Sequence, residues 1–333
     1  MAEPLHPEES IDHVAARLVS LLTSPAGGLR DPSGGSLTFE AELAVQPLSR
    51  APGPPVEAWA VDGGQALVAD ARCLQVYVTR ASQVCWSGGR AVVEQALPLQ
   101  AALLGLGEDS AARAALIASG APVATDCSVD VNLLREWGEW AAARAAVEAA
   151  VPGAVVLVDG DLQPDWRMAP EWVAQLLDLA ADRGVTVMGV TKHTSLSWGG
   201  APLLGVLERL AAGVVGARDM WWAPIARSSP SVGPGTRVVV ARLDPAARFA
   251  FRVDLPGTAE PSEALAVLAT LCDDAGFPGY PYPLSSADRL AACPAWVRDE
   301  VWSRIDGTFD RAGVPEDLRE RAFADRHRLM ERS

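Results

Sequence analysis

Val156-Leu157-Val158-Asp159-Gly160-Asp161-Leu162 decides the reading of this 333-residue chain. With Ala154 and Val155 before it, the segment is a continuous apolar run that ends on an acid and a glycine. Such a run marks a strand buried on both faces, at the centre of a sheet covered by helices. Working outward, a helix is predicted over 131–150 before it, and a helix over 170–182 and a strand over 185–190 after it. Val56 to Asp62 reads as a second apolar strand that ends in Gly63-Gly64, and 66–80 and 82–94 read as antiparallel neighbours. A helix is predicted over 109–119, and an amphipathic helix over 8–24 carries Ile11, Val14, Leu18 and Leu21 at helical spacing. Residues 26–55 and 194–235 are rich in Gly and Pro and read as irregular chain. Strands over 236–243 and 248–254 and helices near 260–275, 286–293, 297–310 and 315–331 complete the pattern. The order predicts an α/β fold with a mixed sheet flanked by helices, in a single domain spanning 1–333.

Composition narrows the class. Hydrophobic residues make up 49% of the chain, as in a globular protein. No apolar run approaches the ~18 residues of a membrane span, and the N-terminal segment lacks the basic and apolar regions of a signal peptide. The five cysteines include no CxxC pair, which argues against a zinc site or a disulfide framework and for a reduced, cytoplasmic protein. With 42 acids against 28 Lys and Arg, the net charge of -14 leaves little for gripping phosphates by counterion release. A carboxylate cluster that holds a divalent cation is itself acidic, and the cation then supplies local positive charge.

Trp59-Ala-Val-Asp62-Gly-Gly and Val156-Leu-Val-Asp159-Gly-Asp each deliver an aspartate at the carboxyl end of an apolar strand. Ligands of α/β sheets bind outside those ends. If the strands are neighbours, Asp62 and Asp159 repel unless they share a proton or a metal. Hard oxygen ligands select magnesium or manganese, which can drive phosphodiester hydrolysis. The competing reading of each Asp-Gly is an ordinary turn. Asp161 lies past the turn and ranks lower. A third acid is expected from the helix before Asp159, among Glu136, Glu139 and Glu148. A helical wheel centred on Leu133, Leu134, Trp137 and Ala141 puts Glu136 nearer the buried stripe, with Glu139 on a solvated face beside Arg135.

Six ordered segments together resemble the NurA nucleases of DNA double-strand-break repair. They are Ala60-Val-Asp-Gly-Gly64, Leu134-Arg-Glu-Trp-Gly-Glu139, Leu157-Val-Asp-Gly-Asp-Leu162, Gly189-Val-Thr-Lys192, Phe251-Arg-Val-Asp254, and Gly279-Tyr-Pro-Tyr-Pro-Leu284 followed by Ala287-Asp288. They span a core of about 56–293, with the helix at 8–24 and the helices over 297–331 as extensions. The resemblance implies a ribonuclease-H-like core, manganese-dependent (or magnesium-dependent) nuclease action on DNA, a homodimer, and partnership with the hexameric HerA helicase-translocase in end resection. Residue by residue, it implies that Asp62 and Asp159 are the strand aspartates and Glu139 the helical glutamate, against the wheel, with Glu136 as the alternative. It further makes Tyr280 the late tyrosine. Asp288 stands where some members carry a histidine; aspartate can ligate metal but cannot shuttle a proton as an imidazole does. Metal ligands are therefore expected at Asp62, Glu139, Asp159 and Asp288, with Tyr280 also catalytic.

Competing readings remain for several residues. Ser285-Ser-Ala-Asp288 fits a capping box, which would make Asp288 structural. Lys192, beside His193, is either a phosphate contact or an exposed loop lysine. Trp221-Trp222 is either a base-stacking pair or core. Arginines near the C-terminus, including Arg319 and Arg321, read as a solvated face or a partner contact. Two other functions stay open: a phosphotransferase of the actin or sugar-kinase type, which shares the core fold, and a catalytically inactive adaptor for a helicase.

Overall fold

The computed structural model describes residues 11–23, 27–31, 37–216, 218–228 and 235–324. The chain divides into two compact units, each built from two separate stretches: 1–54 with 188–282, and 55–187 with 283–333.

The second unit is a mixed sheet flanked by helices. Its elements are β1 (Ala58–Asp70), β2 (Gln75–Ser87), β3 (Arg90–Ala96), β4 (Gln100–Leu104), α1 (Asp109–Ala118), α2 (Val131–Ala149), β5 (Val155–Asp159), α3 (Glu171–Asp182), α4 (Tyr282–Ala291), α5 (Ala295–Arg311) and α6 (Glu316–Phe323). β1 to β3 form an antiparallel meander, and β5 lies parallel to β1 on its other side. The spatial order β3-β2-β1-β5 is that of a ribonuclease-H-like sheet. β4 folds back to pair with β2 beside β3. Residues 58–62 of β1 and 155–158 of β5 are buried without alternation, as expected of central strands covered on both faces.

α2 covers this sheet. Asp130 caps it by accepting from the Leu133 amide at 2.9 Å. Its buried face includes Ala142, Ala143, Ala146 and Val147, small side chains that let this part of the helix lie close to the strands. Gln83 of β2 donates to the Ala142 carbonyl at 2.7 Å across that contact. Trp137 and Trp140 of α2 meet Trp172 of α3 edge to face, at 5.5 and 5.9 Å between ring centroids.

The first unit is described by itself. Its sheet runs in the order Leu37–Phe39, Trp221–Ser228, Thr236–Arg242, Phe251–Pro256 and then Thr186–Thr191, all antiparallel; the last strand belongs to this unit from Met188 on. Gln46–Pro47 also pairs with Trp221–Ser228. Three two-residue strands, Leu29–Arg30, Ser197–Trp198 and Ala201–Pro202, make a small separate sheet. Helix Leu203–Val214 packs Leu203, Leu207 and Ala211 into one core with Trp221, Ile225 and Val238.

Expectations over two stretches need correction. Residues 66–80 are not one strand: β1 runs to Asp70 and β2 starts at Gln75. The turn between them carries no Gly or Pro; Arg72 itself takes a left-handed φ of 68°, and its amide donates to Asp70 Oδ1 at 2.6 Å. The stretch 194–235 is not irregular, because it holds helix Leu203–Val214 and strand Trp221–Ser228. Of the two readings of Trp221 and Trp222, the core one holds, with relative exposures of 2% and 7%. The N-terminal helix is seen over Ile11–Thr23 and the last helix over Glu316–Phe323; the remainder of 8–24 and residues 325–331 lie outside the described residues.

Candidate active site

Strand register brings two acids together. β1 and β5 pair Ala58 with Val155 and Val61 with Val158 in parallel. The next residue on each strand is Asp62 and Asp159. Asp62 is buried, and the Gly63 amide donates to its Oδ1 at 2.7 Å. The Asp62-Gly63-Gly64 segment is not a turn, since β1 continues straight through it.

The glycines serve close approach instead. A Cβ built on Gly63 would stand 2.6 Å from Glu139 Cγ and 2.8 Å from its Cδ. One built on Gly64 would stand 2.8 Å from the Ala291 carbonyl carbon at the end of α4. Bare backbone at these two positions lets a glutamate and a helix end descend onto the strand beside Asp62.

Asp288 arrives through α4. Ser82 of β2 donates to the Ala287 carbonyl at 2.7 Å, and Arg80 donates to the Ala292 carbonyl just past the helix end. These contacts fix the turn of helix that carries Asp288. Asp62, Asp159 and Asp288 can each offer one carboxylate oxygen, with the three oxygens all within 4.8 Å of one another. The capping-box reading of Asp288 is overturned: α4 starts at Tyr282, three residues before Ser285, so Asp288 lies in the helix body.

Glu139 is buried and forms an ion pair with Arg135, one helical turn back. The helical wheel misplaced this residue because Trp140, Ala142, Ala143, Ala146 and Val147, rather than Leu134, Trp137 and Ala141, continue the buried stripe from Leu133. Burial pushes the Glu139 carboxyl up to about 8; Arg135 opposes the shift, while Asp62, Glu136 and Asp159 add to it. Glu136 plays a structural part instead. It accepts from the Asp165 amide at 2.7 Å and from the Trp140 indole at 3.1 Å. Burial raises its carboxyl as well.

The Glu139 shift has a sign that can be measured. A carboxyl raised in the folded state stabilises the fold fully below its ordinary value near 4.5, and that contribution is lost as pH rises through about 8. Without metal, wild-type Tm should therefore fall between pH 5 and pH 8. Glu139→Gln, which never ionises, should remove that slope and raise Tm at pH 8 by about 2 °C or more. Thermal melts in EDTA across this range provide the test, and parallel curves for the two proteins would refute the assignment.

Tyr280 and Lys192 belong to the other unit, where the Lys192 ammonium lies 5.0 Å from the centroid of the Tyr280 ring. Tyr280 is buried against Phe251 and Phe277, with centroids 5.4 and 6.0 Å away, while Lys192 is exposed. In the same unit Arg252 and Asp254 form a buried two-point ion pair at 2.8 Å for each contact. Sequence reasoning gives this pair no part. Their i, i+2 spacing on a predicted strand, which puts both on one face, is the signal that could have found them. His193 is exposed, and Asp161 accepts from the Gln163 amide at 3.2 Å in a local turn.

Known proteins share this architecture. The NurA domain model matches residues 216–293. The fold matches the NurA nuclease from Sulfolobus solfataricus with a TM-score of 0.59, at 14% identity, covering 91% of this chain and 95% of that one. The likeness to NurA proteins thus rests on a domain match over 216–293 and on a shared fold. A second NurA structure matches at 9% identity, covering 73% of this chain and 85% of the other, with a TM-score of 0.47. Human ENDOV matches at 15% identity, covering 71% and 83%, with a TM-score of 0.41. Comparison with curated proteins finds no match. Among the described residues, no helix is long and apolar enough to cross a membrane.

Proposed function

We propose that this protein is a divalent-metal-dependent deoxyribonuclease that hydrolyses phosphodiester bonds at DNA ends. One observation carries the reading: three aspartates offer oxygens within 4.8 Å of one another, two of them from adjacent, parallel central strands, Asp62 within β1 and Asp159 at the end of β5. Without a cation such a trio repels itself. Its all-oxygen donor set fits manganese or magnesium.

Asp62, Asp159 and Asp288 would hold the metal, with Glu139 as the fourth acid of the site. When bound, the metal supplies Lewis acidity toward the phosphate and an activated water. The chain's own residues set the stage for this. The Gly63 amide fixes the Asp62 carboxylate, and the Ser82 and Arg80 contacts hold the helix that carries Asp288. Arg135 faces Glu139 and favours its ionised form, against the burial that pushes this carboxyl up. Lys192 is proposed to contact a DNA phosphate, and Tyr280 to orient it through their ring-to-ammonium contact. The phosphotransferase reading loses support, because the two units carry different sheets rather than a duplicated pair.

The family supports a homodimer working with a HerA-type hexameric translocase in double-strand-break end resection. The net charge of -14 supports dependence on such a partner for holding duplex DNA. The experiment is digestion of long linear duplex in manganese, in magnesium and in EDTA, with and without the cognate ATPase and ATP at matched salt. Expected is metal-dependent cleavage by the nuclease and a large gain with the ATPase. Manganese should also raise Tm relative to EDTA, because a ligand of the native state alone stabilises it. Identical melts, together with no cleavage under any metal, would overturn the reading.

A further inference from the structure

One residue in the unit that holds the acids stands apart from the packing. Trp166 is 84% exposed, whereas Trp137, Trp140 and Trp172 pack together in the core of the same unit. It follows Asp159 by seven residues, in the loop that leaves the acidic end of β5. Tryptophan is highly buried on average, so an isolated, water-facing ring is unusual.

The loop beneath it is rigidly tied. On one side of Trp166, the Asp165 amide donates to Glu136 of α2 at 2.7 Å. On the other, the Arg167 guanidinium donates to Asp165 at 2.8 and 2.6 Å and to Asp130 at 3.0 and 3.3 Å. It also donates to the Ser128 carbonyl at 3.2 Å, and the Ala169 amide donates to the Pro122 carbonyl at 2.7 Å. Arg167 is only 7% exposed despite its charge. The hydrogen bond from Arg167 holds the Asp165 carboxyl below the usual carboxylate range. The loop is therefore fastened to the N-cap of the helix that carries Glu139, and Trp166 projects from a fixed base.

We infer that Trp166 is a stacking platform for an unpaired nucleobase of the strand being cut. The Arg167 guanidinium lies 5.7 Å from the ring centroid, adding a cation beside the π surface. With 42 acids against 28 basic residues, the chain has little counterion release to spend on a polynucleotide. Base stacking is the contact that does not depend on net charge, and it tolerates any base. A ring held in place before binding loses little freedom when a base lands on it. The platform selects single-stranded or frayed DNA, because a base inside a duplex has both faces covered by its stacked neighbours. This inference rests on the nuclease reading for its substrate, and its test is independent of catalysis.

The test measures binding in EDTA, where no cleavage occurs. A fluorescein-labelled 20-mer of thymidylate and an abasic 20-mer with the same phosphates are titrated against full-length wild type, Trp166→Ala and Trp166→Phe. Trp166→Ala should bind thymidylate about 10-fold more weakly or worse. Trp166→Phe should recover most of the loss, and the abasic oligomer should not distinguish the three proteins. Equal thymidylate binding by wild type and Trp166→Ala, or no measurable binding by wild type, overturns the inference. So does an equal loss on the abasic oligomer, which would make Trp166 a support of the fold. Unchanged thymidylate binding with altered self-association in sedimentation would assign the ring to a protein contact instead. The nuclease reading is judged separately, by wild-type cleavage in manganese, so either idea can fail alone.

Discussion

Asp62→Ala and Asp159→Ala will each abolish metal-dependent cleavage while leaving the protein folded. The two carboxylates are brought side by side by strand register, with Asp288 completing the trio. Loss of a residue that merely orients a metal ligand costs roughly 10- to 100-fold, and loss of a ligand itself should exceed that. Stability should move the other way. Asp62 is buried among like charges that also act on Glu139, so removing it relieves repulsion in the metal-free protein. The paired measurement is cleavage of linear DNA in manganese and thermal melting in EDTA. Expected is loss of cleavage with an unchanged or higher Tm, together with loss of the stabilisation by manganese. Wild-type activity in either folded variant would remove these acids from the site.

The second large effect is on the backbone beneath them. On intrinsic preference, alanine in place of a mid-strand glycine should stabilise by about 0.5–1 kcal/mol. At Gly63 and Gly64 the sign should reverse, because the added methyl collides with Glu139 in one case and with the Ala291 carbonyl in the other. Overpacking of this kind costs about 1–3 kcal/mol. The two variants should respond differently to a second change. Glu139 is a side chain, so Gly63→Ala should be largely relieved by Glu139→Ala. The obstacle at Gly64 is main chain of α4, so Gly64→Ala should stay destabilised in the same background. Gly64→Ala should also lower activity, because it shifts the helix that delivers Asp288. Denaturant unfolding of the two single and two double variants tests this. A Gly64→Ala protein as stable as wild type would contradict the packing.

The parts of the site that were legible share a physical cause. Asp62 and Asp159 end unbroken apolar runs, and a short run with no alternation, bounded by glycine, is the pattern of a covered strand. Their neighbouring acid was harder. The wheel centred the buried face of α2 on Leu133, Leu134, Trp137 and Ala141, but the buried residues are Leu133 with Trp140, Ala142, Ala143, Ala146 and Val147, a face turned toward Glu139. Asp288 was ambiguous for a local reason: a Ser-x-x-Asp spacing is the same whether the helix starts there or three residues earlier. The β1–β2 turn was missed because its left-handed residue is Arg72, where composition announces nothing. Helix Leu203–Val214 was missed because Gly205 and Gly213 gave it the look of irregular chain. Trp166 was passed over because exposure is a tertiary property that no spacing rule reports.

The unit that holds the acids is assembled from two chain segments, 55–187 and 283–333, separated in sequence by residues 188–282 of the other unit. A ribosome releases Asp62 and Asp159 first, and Asp288 comes 129 residues after Asp159. At roughly 5–20 residues per second, that interval is on the order of ten seconds. For that time a growing chain carries two acids without the third, and Gly64 without the helix end that rests on it. Completion of the trio is thus a late event in synthesis. A chain broken off before α4 would leave the ribosome with only two of its three clustered aspartates.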